Sequence, residues 1–314
     1  MSTALVVLPI LLGLLVIGIL AVSWVLSGMV VQPKRWDYMK SLEEEMKRGG
    51  FTRAEYDALP REESYLPSTF GYDIHVMTLP RPEGPAFPDG KRRVAVIAHG
   101  YSYTLFGSVK YAQLFRKLGF DCVLSDQRNH GLSGRAPTTM GWCEAEDLAT
   151  VCAYARRRFG EDCVLGTHGE SMGGATVLMH APTDESLAFV VEDCGYSSLP
   201  DQLAFDMRAV YHLPRFPFLA IASVFSRLRG GIAFRQVMPR DRVAAVKAEL
   251  PMLFIHGMAD DFVPSYMVFE NYGAKRGVKG LLLFPGAVHA CSFFTDRVSY
   301  GQRLEAFLRE NEII

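Results

Sequence analysis

The side chain with the richest chemical context is Ser171. It stands in Gly169-Glu170-Ser171-Met172-Gly173, preceded by Val164-Leu165 and followed by Gly174-Ala175 and an apolar stretch to Met179. This order reads as a strand that turns sharply into a helix with a serine at the apex. Glycines at 169 and 173 let strand and helix approach closely, and the strained serine backbone lifts the hydroxyl clear of the sheet edge. A hydroxyl is a poor nucleophile until a base takes its proton and a third group orients that base. In an open parallel sheet such partners belong on loops at the carboxyl ends of strands. Two later loops qualify, each directly after an apolar run: His256-Gly257-Met258-Ala259-Asp260-Asp261-Phe262-Val263-Pro264, and Pro285-Gly286-Ala287-Val288-His289. They give the chain order Ser171, Asp260, His289. Asp261, the next residue, and Asp193, behind an earlier strand, compete with Asp260 as the acid.

The elements that must carry these residues alternate regularly. Arg93–Ala98 reads as a central strand, apolar after its first residue, and Val109–Leu118 as a helix. Asp121–Ser125 is a strand, Glu144–Phe159 a helix, Asp162–Leu165 the strand before Ser171, and Leu187–Val191 another strand. After an interruption come Pro251–Ile255 (strand), Ser265–Lys275 (helix), Lys279–Phe284 (strand) and a closing helix over Ser292–Asn311. This rhythm predicts a mostly parallel sheet with helices on both faces. The interruption, residues 197–246, is helical in composition and rich in Leu and Phe, which suggests a small helical cap over the serine. Upstream, Phe70–Leu79 reads as an opening hairpin and Phe51–Ser68 as a partly helical approach segment. The run Glu43-Glu44-Glu45 reads as a solvated helix face.

Taken together, these motifs resemble the α/β-hydrolase family from about Arg93 to the C-terminus. The carriers are His99-Gly100, the Asp126-x-Arg128-x-His130-Gly131-x-Ser133 loop, Gly169-x-Ser171-x-Gly173, His256-Gly257-x-x-Asp260-x-x-Val263-Pro264 and Gly286-x-x-His289. The chain is similar in particular to small bacterial membrane-anchored, esterase- or lysophospholipase-like members. Asn129 stands where many relatives have glycine, at a position with no chemistry assigned. The resemblance implies an acyl-enzyme mechanism on a carboxylic ester, lipid-derived or otherwise small, without metal or organic cofactor. The oxyanion would be held by the backbone N–H groups of Met172 and Tyr101. Tyr101 and Tyr103 are candidates to line an acyl pocket. His99, His130, His168 and His256 shape loops in this pattern, and Glu170 contacts either a polar substrate group or nearby backbone. A thioesterase or peptidase is compatible with the same residues, and so is a catalytically silent, membrane-tethered binding module.

The remaining bounds come from composition. The 314 residues carry a net charge of -1 and no long basic run, which argues against a nucleic-acid partner. Six cysteines are scattered without ligand or pairing spacing. Residues 1–32 contain no charged side chain, and Ala4–Leu26 is almost wholly aliphatic, long enough to span a bilayer as an N-terminal transmembrane helix. The expected organisation is an anchor over 1–32, a linker and approach segment over 33–69, and an α/β-hydrolase domain over 70–314. Lys34, Arg35 and Lys40 just after the apolar run favour a catalytic domain on the cytoplasmic side of the cell membrane.

Overall fold

The computed structural model describes residues 3–314. The helices are α1 (Thr3–Val31), α2 (Tyr38–Lys47), α3 (Arg53–Ala58), α4 (Val109–Lys117), α5 (Trp142–Phe159), α6 (Met172–His180), α7 (Leu199–Tyr211), α8 (Phe218–Gly230), α9 (Pro239–Ala244), α10 (Tyr266–Ala274), α11 (Ser292–Thr295) and α12 (Arg297–Glu310). The strands are β1 (Glu62–Pro67), β2 (Asp73–Leu79), β3 (Arg93–Ala98), β4 (Asp121–Ser125), β5 (Val164–Glu170), β6 (Phe189–Asp193), β7 (Met252–Gly257) and β8 (Lys279–Phe284). They form one sheet in the order β1-β2-β4-β3-β5-β6-β7-β8. Only the two pairings made by β2 are antiparallel.

The continuous apolar strands are explained by cover on both faces. In β3, Ala95 and Ile97 join a core with Phe106, Phe115, Phe189 and Leu304, while Val94, Val96 and Ala98 join another with Leu148, Val151 and Phe254. Period-2 alternation thus divides one strand between two cores.

Three regions depart from the expectations. β1 falls inside the segment read as an approach, so the opening hairpin is Glu62–Leu79. Its register pairs Glu62 with Thr78 and Pro67 with Asp73. As an edge strand it has one well-buried side chain, Leu66, and so little apolar signal. The closing helix is broken at Asp296, whose carboxylate accepts from the Ser299 N–H at 2.9 Å and caps α12. The segment before β1 is packed into the body: Leu42, Phe51 and Tyr56 lie in the first core. Glu45 is fully buried, contrary to the solvated face expected of the acidic run.

α1 is long and apolar enough to cross a membrane, and its residues from Val7 to Val22 are largely exposed. Its final turns lie against α8. Ser23 and Ser27 on α1, with Ala222, Ser226 and Gly230 on α8, are small residues at four-residue spacing, a pattern that lets helix backbones approach. Trp24 meets Phe225 edge-on at 5.2 Å, and Arg229 lies over the Trp24 ring while donating to the Trp24 carbonyl at 2.7 Å.

Candidate active site

Ser171 sits between β5 and α6 with φ 58° and ψ -117°, a conformation L-residues rarely adopt. The turn is tight. A Cβ at Gly169 would lie 2.0 Å from the Gly173 carbonyl oxygen, and one at Gly173 would lie 2.2 Å from the Ala98 oxygen. The Ser171 N–H donates to the Asp193 carbonyl at 2.8 Å, which ties the apex to β6.

The sheet brings the three residues of the later motifs together. Ser171 Oγ lies 2.9 Å from His289 Nε2, and His289 Nδ1 lies 2.8 Å from Asp260 Oδ2. Asp260 Oδ1 accepts from the backbone N–H groups of Phe262 and Val263 at 3.0 and 2.8 Å. Burial opposes ionisation of Asp260, but bonds from His256, His289 and Val263 hold its carboxyl below the usual range. The Phe262 ring packs on His289, 4.9 Å between centroids. Asp261 is exposed and makes no such contact.

Tyr101 follows Gly100, where a Cβ would stand 3.4 Å from Ser171 Cβ. Among the described residues, neither the Tyr101 nor the Met172 N–H has a protein acceptor. The loop carrying Tyr101 is braced from below: Ser102 N–H donates to His130 Nε2 at 2.9 Å, and Gln127 N–H donates to His99 Nε2 at 2.9 Å. Accepting nitrogens require neutral rings, and burial pushes the His130 pKa down to about 3 and lowers that of His99. Tyr101 lines an apolar cavity. Tyr103 turns away, its hydroxyl 3.2 Å from Glu45 and from the Ser41 carbonyl.

Beneath Ser171 lies a sealed polar layer that the sequence did not disclose. Lys110 Nζ is 3.2 Å from Glu45 and 3.0 Å from Glu170, all three side chains being buried. Tyr111 donates to Glu170 at 2.5 Å and lies 3.2 Å from Asp193; Tyr300 is 3.1 Å from Asp193 and 3.0 Å from His168. Glu170 therefore binds Lys110 and Tyr111 rather than substrate or backbone. Burial would raise the Glu170 pKa, but the Lys110 charge and the Tyr111 bond bring it below the ordinary value. Burial beside the Glu170 charge pushes Asp193 up to about 7. No local motif marks this layer; its members come from α2, α4, β5, β6 and α12.

Two groups of side chains have metal-ligand spacing, Cys152-His180-Asp184 and Cys194-Asp260-His289. Their donor chemistry fits a metal poorly. Burial raises both thiol pKa values, Arg156 pairs with Asp184 at 2.8 Å, and His289 and Asp260 already bond one another.

No family model matches the chain. It is 32% identical over 302 residues to the uncharacterized protein YqkD of Bacillus subtilis (strain 168), covering 94% of this chain and 95% of that one. The chain belongs to the YqkD family. Among solved structures, it is similar to the Pyrococcus furiosus esterase Pf2001, with a TM-score of 0.66, 20% identity, and coverage of 90% of this chain and 98% of that chain. The alpha/beta hydrolase GrgF from Penicillium sp. sh18 gives a TM-score of 0.63 at 17% identity, covering 82% and 100%. At these identities the likeness carries the fold, which is that of the α/β-hydrolases.

Proposed function

We propose that the chain is a serine hydrolase that cleaves a carboxylic ester through an acyl-enzyme. The observation that carries this is the unbroken hydrogen-bonded run from Ser171 through His289 to Asp260, with the Tyr101 and Met172 N–H groups left without protein acceptors. In this reading His289 Nε2 takes the Ser171 proton as Oγ attacks the carbonyl. The N–H groups of Tyr101 and Met172 hold the resulting oxyanion, and His289 then returns the proton to the leaving alkoxide. Asp260 keeps the imidazole in the required tautomer and stabilises its cationic form. Water, activated by the same histidine, releases the acid. The hydrolase body takes in β1 and the packed segment before it, α7 and α8 act as a cap, and α1 anchors the protein in a membrane. That Pf2001 is named an esterase supports the ester as the bond.

A fluorophosphonate probe tests this directly. The wild-type chain should be labelled and should hydrolyse p-nitrophenyl acetate. Ser171→Ala should lose labelling and on the order of 10⁶ in turnover while melting normally. A folded Ser171→Ala protein that keeps its activity would remove the serine from the mechanism, and a folded wild type that neither labels nor hydrolyses esters would leave a binding module.

A further inference from the structure

An apolar cavity of about 270 Å³ opens beside the candidate oxyanion site, between Tyr101, Phe262 and the helices α7 and α8. Tyr101 follows Gly100, whose backbone lies against Ser171, and Phe262 is the ring packed on His289. The cavity therefore begins where the acyl group of a bound ester would lie. Its remaining wall is the end of α1: Leu26, Met29 and Val30 line it together with Met207 and Leu219. The α1 end is fixed there by several contacts. Tyr101 Oη donates to the Met29 carbonyl, Tyr211 Oη reaches Met29 Sδ at 3.6 Å, and Arg229 clamps Trp24 and Ser27.

We propose, on the reading of Ser171 just given, that the last two turns of α1 are a wall of the acyl-binding site, and that the substrate is an ester drawn from the membrane surface by a single hydrocarbon chain. Length supports the second half. At 29 residues α1 is about 43 Å long, beyond the ~30 Å hydrocarbon core of a bilayer. With the exposed run from Val7 to Val22 in the bilayer, the turn from Leu26 to Val30 emerges at its surface. The mouth of the cavity is then held at the level where the head of an acyl amphiphile lies, and its chain passes from lipid to cavity without crossing water. One cavity of this size takes one chain, so monoacyl esters fit and diacyl esters do not.

The test uses the full chain in lipid nanodiscs and p-nitrophenyl esters from acetate to decanoate. For the wild type, kcat/KM should rise about fourfold per added CH₂ until the cavity is filled. Met29→Trp, which fills the cavity, should lower the decanoate-to-acetate ratio by about tenfold or more. Met29→Ala, which enlarges it, should move the optimum to longer chains. Val25→Trp is the control, because Val25 is 60% exposed and lies outside the cavity lining; it should leave the ratio unchanged. In the same nanodiscs a monoacyl glycerol ester should be cleaved and a diacyl one of equal chain length spared. Unchanged ratios in both Met29 variants, with fluorophosphonate labelling of Ser171 intact, would overturn the α1 wall and leave the serine mechanism standing. Preference for the diacyl ester would overturn the single-chain substrate. A wild type that is neither labelled nor active would overturn the mechanism, and this inference with it.

Discussion

Two polar rows run side by side across the carboxyl ends of the strands, and they behave oppositely. The upper row, Ser171-His289-Asp260, is separated from the apolar cavity by Phe262, with His289 partly exposed. The lower row, Glu45-Lys110-Glu170 with Tyr111, Asp193, Tyr300 and His168, is closed to solvent. Each contains a carboxylate at a strand end that faces histidine or tyrosine. In the upper row three donors converge on Asp260, from His289, Phe262 and Val263, with His256 Nε2 a further 3.4 Å contact, and they hold it ionised. In the lower row hydrogens are scarce. The single Tyr111 hydrogen goes to Glu170, so its 3.2 Å contact with Asp193 needs a proton from Asp193. Asp193 Oδ1 is also buried without a partner, which an anion tolerates badly. Burial is common to both carboxyls; the Glu170 charge beside Asp193 and the supply of donors decide which one is charged.

The sharpest break between the rows is expected in turnover. Asp260→Asn should cost on the order of 10⁴ in kcat, because the amide favours the wrong histidine tautomer. Below pH 7, where Asp193 keeps its proton, Asp193→Asn replaces a neutral acid by a neutral amide and should keep kcat within about tenfold of wild type, since its side chain bonds only through tyrosines to groups behind the serine. Steady-state kinetics on p-nitrophenyl butyrate decides it. A larger loss at Asp193 than at Asp260 would exchange the roles of the rows.

The next effect is on stability. Lys110 is the cation that two buried carboxylates share. Burial alone would lower its pKa, and the Glu170 and Glu45 charges raise it above the ordinary value. Lys110→Met leaves Glu170 without a paired cation and Glu45 with only Arg48, 3.8 Å away, and should cost about 3–5 kcal/mol. The triple variant Glu45→Gln, Lys110→Met, Glu170→Gln should recover much of that loss. Denaturant unfolding of the detergent-solubilised chain measures both. A loss under about 1 kcal/mol for Lys110→Met would mean that water reaches this layer.

The contrast in legibility follows the same division. Each member of the upper row announces itself locally: glycines crowd Ser171, and Asp260 and His289 each follow an apolar strand. The α/β rhythm was readable for the same reason, since a strand covered on both faces must be apolar throughout. Glu45 was not readable, because its partner Lys110 lies 65 residues away (110 − 45) on another helix and nothing near Glu45 marks it as buried. β1 was hidden by its exposure at the sheet edge, and the docking of α1 on α8 by the uniformity of α1, whose packed face differs from its exposed face only by Ser23 and Ser27. Where a position is fixed by its own neighbours in sequence, composition reports it; where it is fixed by a distant partner, only the fold does.

The smallest effect is a slope in pH, and it tests the proton assigned to Asp193. An unfolded aspartate titrates near its ordinary value of 3.8, and the folded one near 7. Between these values the native state holds one more proton than the unfolded state. Its contribution to stability is therefore complete below about pH 4 and is lost as pH rises through about 7, by about 1.4 kcal/mol per pH unit. Glu192, pushed up to about 8 by burial, gives the same sign, so the wild-type slope alone does not isolate Asp193. The difference in unfolding free energy between wild type and Asp193→Asn does, because Glu192 is common to both. That difference should fall with the stated slope from about pH 4.5 to 6.5 and flatten above pH 7. A flat difference across the whole range would mean that Asp193 is ionised throughout, that Tyr111 and Tyr300 supply enough donors, and that the lower row is charged like the upper one.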